Sequence, residues 1–290
     1  MYGSMRDTGV GMLPDRLPMI NSLPGRILLI VVLVSSAGLW FWVVQRLLRE
    51  EPAIPARAVP PVSWPAWLPC IAFPLGIVLT MLLPPLLEGA IAGSPLRPVQ
   101  ASCWARLLVT VALLGLPRLA GPWRAVDFGL DSPGIPRGLL IDIGLGLAVA
   151  LAAFPLVGLV HYWLMSDGWY TTQGAHPLLE LLRGNASFEA QFWVLLGAAV
   201  LAPLYEELLY RVLLQGTWSA HAPPWIAITG TALLFSAAHF RPGQPDGIPL
   251  FPFALLLGLL YDRRRSYCGI VAAHALYNTL NIILALGDPA

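Results

Sequence analysis

Lysine is missing from the 290-residue chain, whose 17 basic side chains are all arginine. That bias carries no mechanistic weight, but the shortage of charge behind it does. Charged residues make up 11% of the sequence, against about 25% in a soluble domain, too few to keep a water-facing surface wet. A soluble globular fold is excluded. The net charge of +1 excludes a nucleic-acid footprint, which needs clustered excess basic residues. Cysteine is scarce as well: Cys70, Cys103 and Cys268 lie in or beside apolar segments without CxxC spacing. Neither a disulfide framework nor a cysteine metal site follows. No HExxH motif and no internal repeat stands out.

What the chain has is hydrophobic length, with 57% hydrophobic residues and a mean hydropathy of +0.70. A membrane-spanning helix needs about 20 such residues in a row. Residues Met1 to Arg26 are polar and interrupted by Gly and Pro, which predicts a poorly ordered tail. Ile27 to Val44 reads as a retained first span, because no small-x-small cleavage site follows it. Trp67 to Ala92 is the second, with Pro74 and the Pro84-Pro85 pair predicting kinks rather than breaks. Trp104 to Leu119 is a short third span. Gly138 to Leu164 is the fourth, where Gly144, Gly146, Ala148 and Ala152 predict a small-residue packing face.

Glu88 and Asp142 read as interfacial carboxylates close to helix ends. A polar loop from Met165 to Glu189, carrying His176, leads to the fifth span. Pro223 and Pro224 open the sixth, as suits proline in a first helical turn. Ile248 to Tyr261 is a short tilted or re-entrant segment, and Cys268 to Leu286 is the last span. The DRRRS run at 262–266 reads as a basic membrane anchor. The expected fold is therefore all-α, a polytopic membrane helix bundle of about eight transmembrane segments. Residues 27–189 form its N-terminal helices and 190–286 its functional core, set in the inner (plasma) membrane with lipid as the surrounding partner.

The fifth span holds the feature around which the rest is organised. From Ala190 to Tyr205 there is no charged side chain, and then Glu206, Glu207 and Arg211 arrive together. A charged group at the bilayer centre costs roughly 2.5–3.5 kcal/mol on insertion scales, so such groups face a protein interior, pair, and mark working sites. Glu207 and Arg211 are four apart with the acid first, the better order for an ion pair. Glu206 is left over, about 100° round the helix. Pro203, one turn earlier, deprives the carbonyl of Ala199 of its helical donor and predicts a local bend.

Two further helices carry groups that lipid would reject. His239 ends the sixth span, and His274, Asn278 and Asn281 form one stripe of the last, which must face the bundle interior. A carboxylate held away from water is a useful base, and a neighbouring histidine can share its water. His and Asn can donate hydrogen bonds to an oxyanion forming on an attacked carbonyl. Two histidines and a carboxylate are also a known zinc set.

The series Glu206-Glu207-x-x-x-Arg211, Phe235-x-x-x-His239 and His274-x-x-x-Asn278, each on its own hydrophobic segment, resembles the CAAX-protease and bacteriocin-processing (Abi) family of intramembrane proteases. The resemblance covers about Ala190 to Leu286. It implies an all-helical membrane endopeptidase acting on a protein or peptide substrate, in which Glu206 and His239 activate water and His274 and Asn278 steady the oxyanion. Glu207 and Arg211 would be the supporting ion pair. It implies a glutamate-type or a metal-dependent enzyme. No cofactor is favoured here, since a zinc site normally shows tighter ligand spacing; a zinc ion would fall to Glu206, His239 and His274. Two other classes compete. A proton- or ion-coupled transporter also uses intramembrane Glu, His and Arg, but predicts an inverted repeat, and a non-catalytic scaffold or immunity protein would keep the motifs for packing alone.

Overall fold

The structure, a computed structural model, describes residues 22–91, 93–130, 136–170, 181–182, 187–241 and 243–286. Most of the predicted tail and the loop residue His176 lie outside the described residues. Among the described residues the main helices are α1 (Leu23–Leu48), α2 (Leu68–Ala90), α3 (Arg97–Gly115), α4 (Arg137–Ser166), α5 (Phe188–Trp218), α6 (Pro224–Ala237), α7 (Gly247–Arg264) and α8 (Tyr267–Leu286). A short helix (Pro117–Ala120) and a 3-10 turn (Ala125–Phe128) link α3 to α4. Six helices, α1 to α5 and α8, are long and apolar enough to cross a membrane. Helix α6 is too short for this, and α7 carries Asp262, Arg263 and Arg264 at its end. The protein is an all-α integral membrane protein with multiple spans; among the described residues six helices qualify by length and composition, against the about eight segments expected.

Helix α5 is the axle. Half of its most apolar window, 50%, is buried inside the protein, against 11% for α1 and for α2, whose remaining faces are left for lipid. Leu208, Leu209, Val212 and Leu213 of α5 are all fully buried in the main core, together with Phe235 of α6, Phe253 and Leu257 of α7, and Ile270 and Ala273 of α8. A fully buried Leu or Phe contributes about 1.5–3 kcal/mol relative to leaving it in water, but water is not the solvent around these helices. What α5 gains is close packing, which must also shield its charges.

Helix α2 runs unbroken through Pro74, Pro84 and Pro85. Helix α3 differs from expectation by starting at Arg97, seven residues before Trp104, with Pro98 in its first turn. Gln100, ahead of the expected span, is buried there and donates to Glu189 at the start of α5 (3.0 Å).

The packing face of α4 also differs. Gly144 is exposed, and the buried stripe runs through Asp142, Gly146, Val149, Ala150, Ala153 and Val157. A Cβ on Gly146 would strike the carbonyl oxygen of Gly269 on α8, so the two backbones touch at this glycine. Asp142 does not face the interface. It is 1% exposed and bridges Arg264 (2.8 Å) and Arg57 (3.5 Å), which ties α4 to the end of α7 and to the Pro-rich connector after α1. The basic loop is likewise held: Arg265 lies over the Tyr261 ring, and the Arg263 carbonyl accepts from the Arg57 amide.

Candidate active site

Helix α5 is not uniformly α-helical. It winds as a π-helix over Leu196–Leu201, returns to α over Ala202–Glu207, and is π again over Leu208–Gln215. Single π turns inside α-helices cluster at functional sites. The first one changes the effect of Pro203. In the π register the amide of Ala202 bonds back to Gly197, so the donor that Pro203 lacks was owed to Ala198, not Ala199. Asn278 on α8 supplies it, donating Nδ2–H to the Ala198 carbonyl at 2.8 Å.

The second carboxylate lies deepest. Glu207 and Arg211 have no exposed side-chain surface and approach to 3.4 Å. Arg211 also donates to the Ala254 carbonyl of α7 (3.2 Å) and lies over the Phe235 ring, 4.6 Å from its centroid. Oε1 of Glu207 meets Nδ1 of His274 at 2.6 Å. An ionised carboxylate only accepts, so Nδ1 carries the proton. In the neutral ring Nε2 is then bare. The His274 ring is steadied between Phe235 and Phe253, with centroids 5.7 and 5.6 Å away.

His239 sits in the turn that ends α6. Its Nδ1 lies 2.7 Å from the Phe235 carbonyl, which likewise only accepts, so its Nε2 is also bare when neutral. The start of α7 holds this turn: a Cβ on Gly247 would strike the Ser236 carbonyl and the Phe240 ring.

Glu206 completes the group from the other side. Its Oε2 lies 3.8 Å from Nε2 of His239 and 3.9 Å from Nε2 of His274, beyond hydrogen-bond range, and has no hydrogen-bond partner. The side chain of Glu206 is 17% exposed and that of His239 31%. Both line a cavity of about 570 Å³, shared with Asn278, Arg106, Arg241 and Asp246. Its size falls in the roughly 300–1,000 Å³ range of small-ligand pockets.

The structure thus brings together Glu206, Glu207, Arg211, His239, His274 and Asn278. Asn281 reaches the cavity but donates to Tyr277 of its own helix. Glu88 stays away from the cavity. Residues 188–280 match the family model of the Rce1-like type II CAAX prenyl endopeptidases. The Rce1-like match spans about a third of the chain and contains every member of the cluster, in accord with the resemblance drawn from the motifs. It supports an intramembrane endopeptidase in general. Helices α1 to α4 lie outside it. No curated protein and no solved structure matches the chain.

The donor types of this cluster are those of catalytic zinc, but their spacing is not. Among the described residues no three His, Cys, Asp or Glu side chains are set to hold a metal ion. Ligands about 2.0–2.2 Å from a tetrahedral zinc lie roughly 3.3–3.5 Å from one another, closer than the 3.8 and 3.9 Å seen here.

Sequence reading missed Arg106 and the Arg241–Asp246 pair on the cavity wall. The signal for Arg106 was present: it is the one charge between Arg97 and Arg118.

Proposed function

We infer that this protein is an intramembrane endopeptidase of the inner (plasma) membrane that hydrolyses a peptide bond of a membrane-associated, prenylated or CAAX-like protein or peptide. The observation that carries the reading is the approach of two lone-pair atoms on the cavity wall, Oε2 of Glu206 and Nε2 of His239, 3.8 Å apart, with Nε2 of the buried His274 3.9 Å from the same carboxylate oxygen. Two acceptors cannot satisfy each other. A water molecule that gives one hydrogen to each can.

In this reading Glu206 takes one proton from that water while Nε2 of His239 accepts its other hydrogen. The hydroxide adds to the scissile carbonyl carbon, and the carbonyl electron pair moves onto oxygen. His274 takes a second proton from bulk water before substrate binds and keeps it throughout, so its Nε2–H donates to the oxyanion while the Glu207 carboxylate stabilises the imidazolium from behind. The amide of Asn278 has two hydrogens; one serves Ala198 and the other faces the same oxyanion. As the C–N bond breaks, Glu206 returns its proton to the departing amine. Water is consumed, and a carboxylic acid and an amine are released.

We read the reaction as metal-free, on the donor spacing above. The test is purified protein in lipid with an S-farnesyl peptide reporter. Glu206→Gln keeps the shape and removes the base, and should lower cleavage by about 10²–10⁴-fold. Undiminished cleavage would end the assignment. Chelation with EDTA or phenanthroline should leave the wild-type rate unchanged; a loss reversed by added zinc would overturn the metal-free part alone.

A further inference from the structure

Arg106 stands at the middle of α3, nine residues from its start at Arg97 and nine from its end at Gly115. At 1.5 Å per residue it lies about 14 Å in from either end, the depth at which an ionic side chain is most costly. A guanidinium stays charged inside a protein. Yet no carboxylate answers it: among the ion pairs of the described residues the cavity's other arginine, Arg241, is matched by Asp246, Arg211 by Glu207 and Arg264 by Asp142, while Arg106 is in none. Among the described residues its side chain makes no hydrogen bond, and Arg106 is half-buried on the cavity wall. Glu206, on the same wall, is more than 4.0 Å away by the absence of any ion pair between them, although both act on the field at Tyr205.

We propose that Arg106 binds the free C-terminal carboxylate of the peptide whose scissile bond lies at Glu206. This rests on the endopeptidase reading and adds to it how the substrate is measured from its end. An arginine fork fits a carboxylate through two parallel N–H bonds, and a water-poor wall strengthens them. The charge that α3 leaves unmatched at mid-membrane depth is matched when substrate enters. A 570 Å³ cavity lined by an unpaired cation as well as by Glu206 and His239 has room for a few peptide residues ending in an anion. The same charge would also attract a lipid phosphate, so the test separates the two.

The probe is an S-farnesyl peptide ending Cys-Val-Ile-Ala, made as the free acid and as the carboxamide. Binding is measured to the Glu206→Gln protein in phosphatidylcholine nanodiscs, and cleavage with wild type. Hydrogen bonds to charged groups are worth about 1.5–3 kcal/mol, so the acid should bind roughly 10- to 100-fold tighter than the amide. Adding Arg106→Gln should remove that preference and leave amide binding unchanged. Arg106→Lys, which keeps charge without the fork, should fall between. Equal binding of acid and amide to the protein that retains Arg106, absence of binding included, overturns the proposal, and this comparison requires no change at position 106. An equal loss of both forms in Arg106→Gln overturns it too. If the acid preference is absent and Arg106→Gln instead weakens binding of phosphatidylglycerol, the anion is a lipid and the proposal fails. Cleavage of neither form by wild type would instead count against the endopeptidase reading, while the binding comparison still decides the role of Arg106.

Discussion

Nδ1 of His274 lies 2.6 Å from Oε1 of Glu207, whose other oxygen faces Arg211 at 3.4 Å, and neither member of the Glu207–Arg211 pair has exposed side-chain surface. One buried acid therefore fixes both a guanidinium and the tautomer of a histidine whose Nε2 lies 3.9 Å from Glu206. Glu207→Gln should leave Arg211 buried without a counter-ion, a loss of about 3–5 kcal/mol for breaking such a pair. Thermal unfolding in detergent would read it as a large fall in Tm. Glu207→Gln combined with Arg211→Met should regain part of that stability, because the stranded charge is gone. It should not regain cleavage, because the carboxylate charge that stabilises the His274 imidazolium is still gone. Recovery of both together would mean that the acid acts on the fold alone.

This division between helix and site explains what could be read from the chain. The spacing of Glu207 and Arg211, and the stripe of His274 and Asn278, follow from one helix each, so the sequence carries them directly. Partners far apart in sequence do not show in that way. Asp142 reads as interfacial because Arg57 and Arg264 are 85 and 122 residues away. Arg106 was hidden by a helix boundary: hydropathy starts the third span at Trp104, after the polar residues Gln100 and Ser102, which puts Arg106 in the first turn. Buried pairing of Gln100 with Glu189 accompanies a helix start at Arg97, which puts Arg106 at the middle of α3.

The proline on α5 was legible, but the turn around it was not, and the difference can be tested. In the π register Ala198 loses its donor and Asn278 replaces it. Asn278→Ala should cost about 1–3 kcal/mol for the unsatisfied carbonyl, and cleavage should fall as well. Pro203→Ala returns an amide hydrogen to the helix. Added to Asn278→Ala, it should restore most of the lost Tm and none of the lost activity. If Pro203→Ala gives no recovery of stability, the carbonyl at Ala198 is not the one that the proline strands.

Asp127, in the 3-10 turn between α3 and α4, supplies a pH dependence outside the membrane. Burial alone would raise its carboxyl, but hydrogen bonds from Arg124 (2.9 Å from Nη2 and 2.7 Å from the backbone amide) and from Ser63 (2.6 Å) outweigh burial and hold it below the usual carboxylate range. A lowered folded value means that its contribution is complete above the unfolded value near 4 and lost as pH falls through the folded one. Wild type should therefore exceed Asp127→Asn in Tm at pH 7 and equally at pH 6. The gap should close only when the pH drops below about 4. A gap that closes between pH 7 and 6 would assign the titration to another group.

The contact of α4 with α8 gives the last expectation, and it sets two glycines of one helix against each other. Gly146 meets the Gly269 carbonyl of α8, whereas a Cβ on Gly144 would meet nothing within 4 Å. Gly146→Ala must push the two backbones apart, since neither atom in the clash belongs to a side chain that could rotate away. Overpacking of this kind costs about 1–3 kcal/mol, and the helix displaced is the one that carries His274 and Asn278. Activity should therefore fall further than stability does. Gly144→Ala faces outward and gains helix propensity, up to about 1 kcal/mol, so its Tm should hold or rise with cleavage unchanged. Tm and cleavage measured on both variants check the crossing point directly: if the two substitutions behave alike, α8 is not held against α4 at Gly146, and the position of its histidine relative to Glu206 must be set by other contacts.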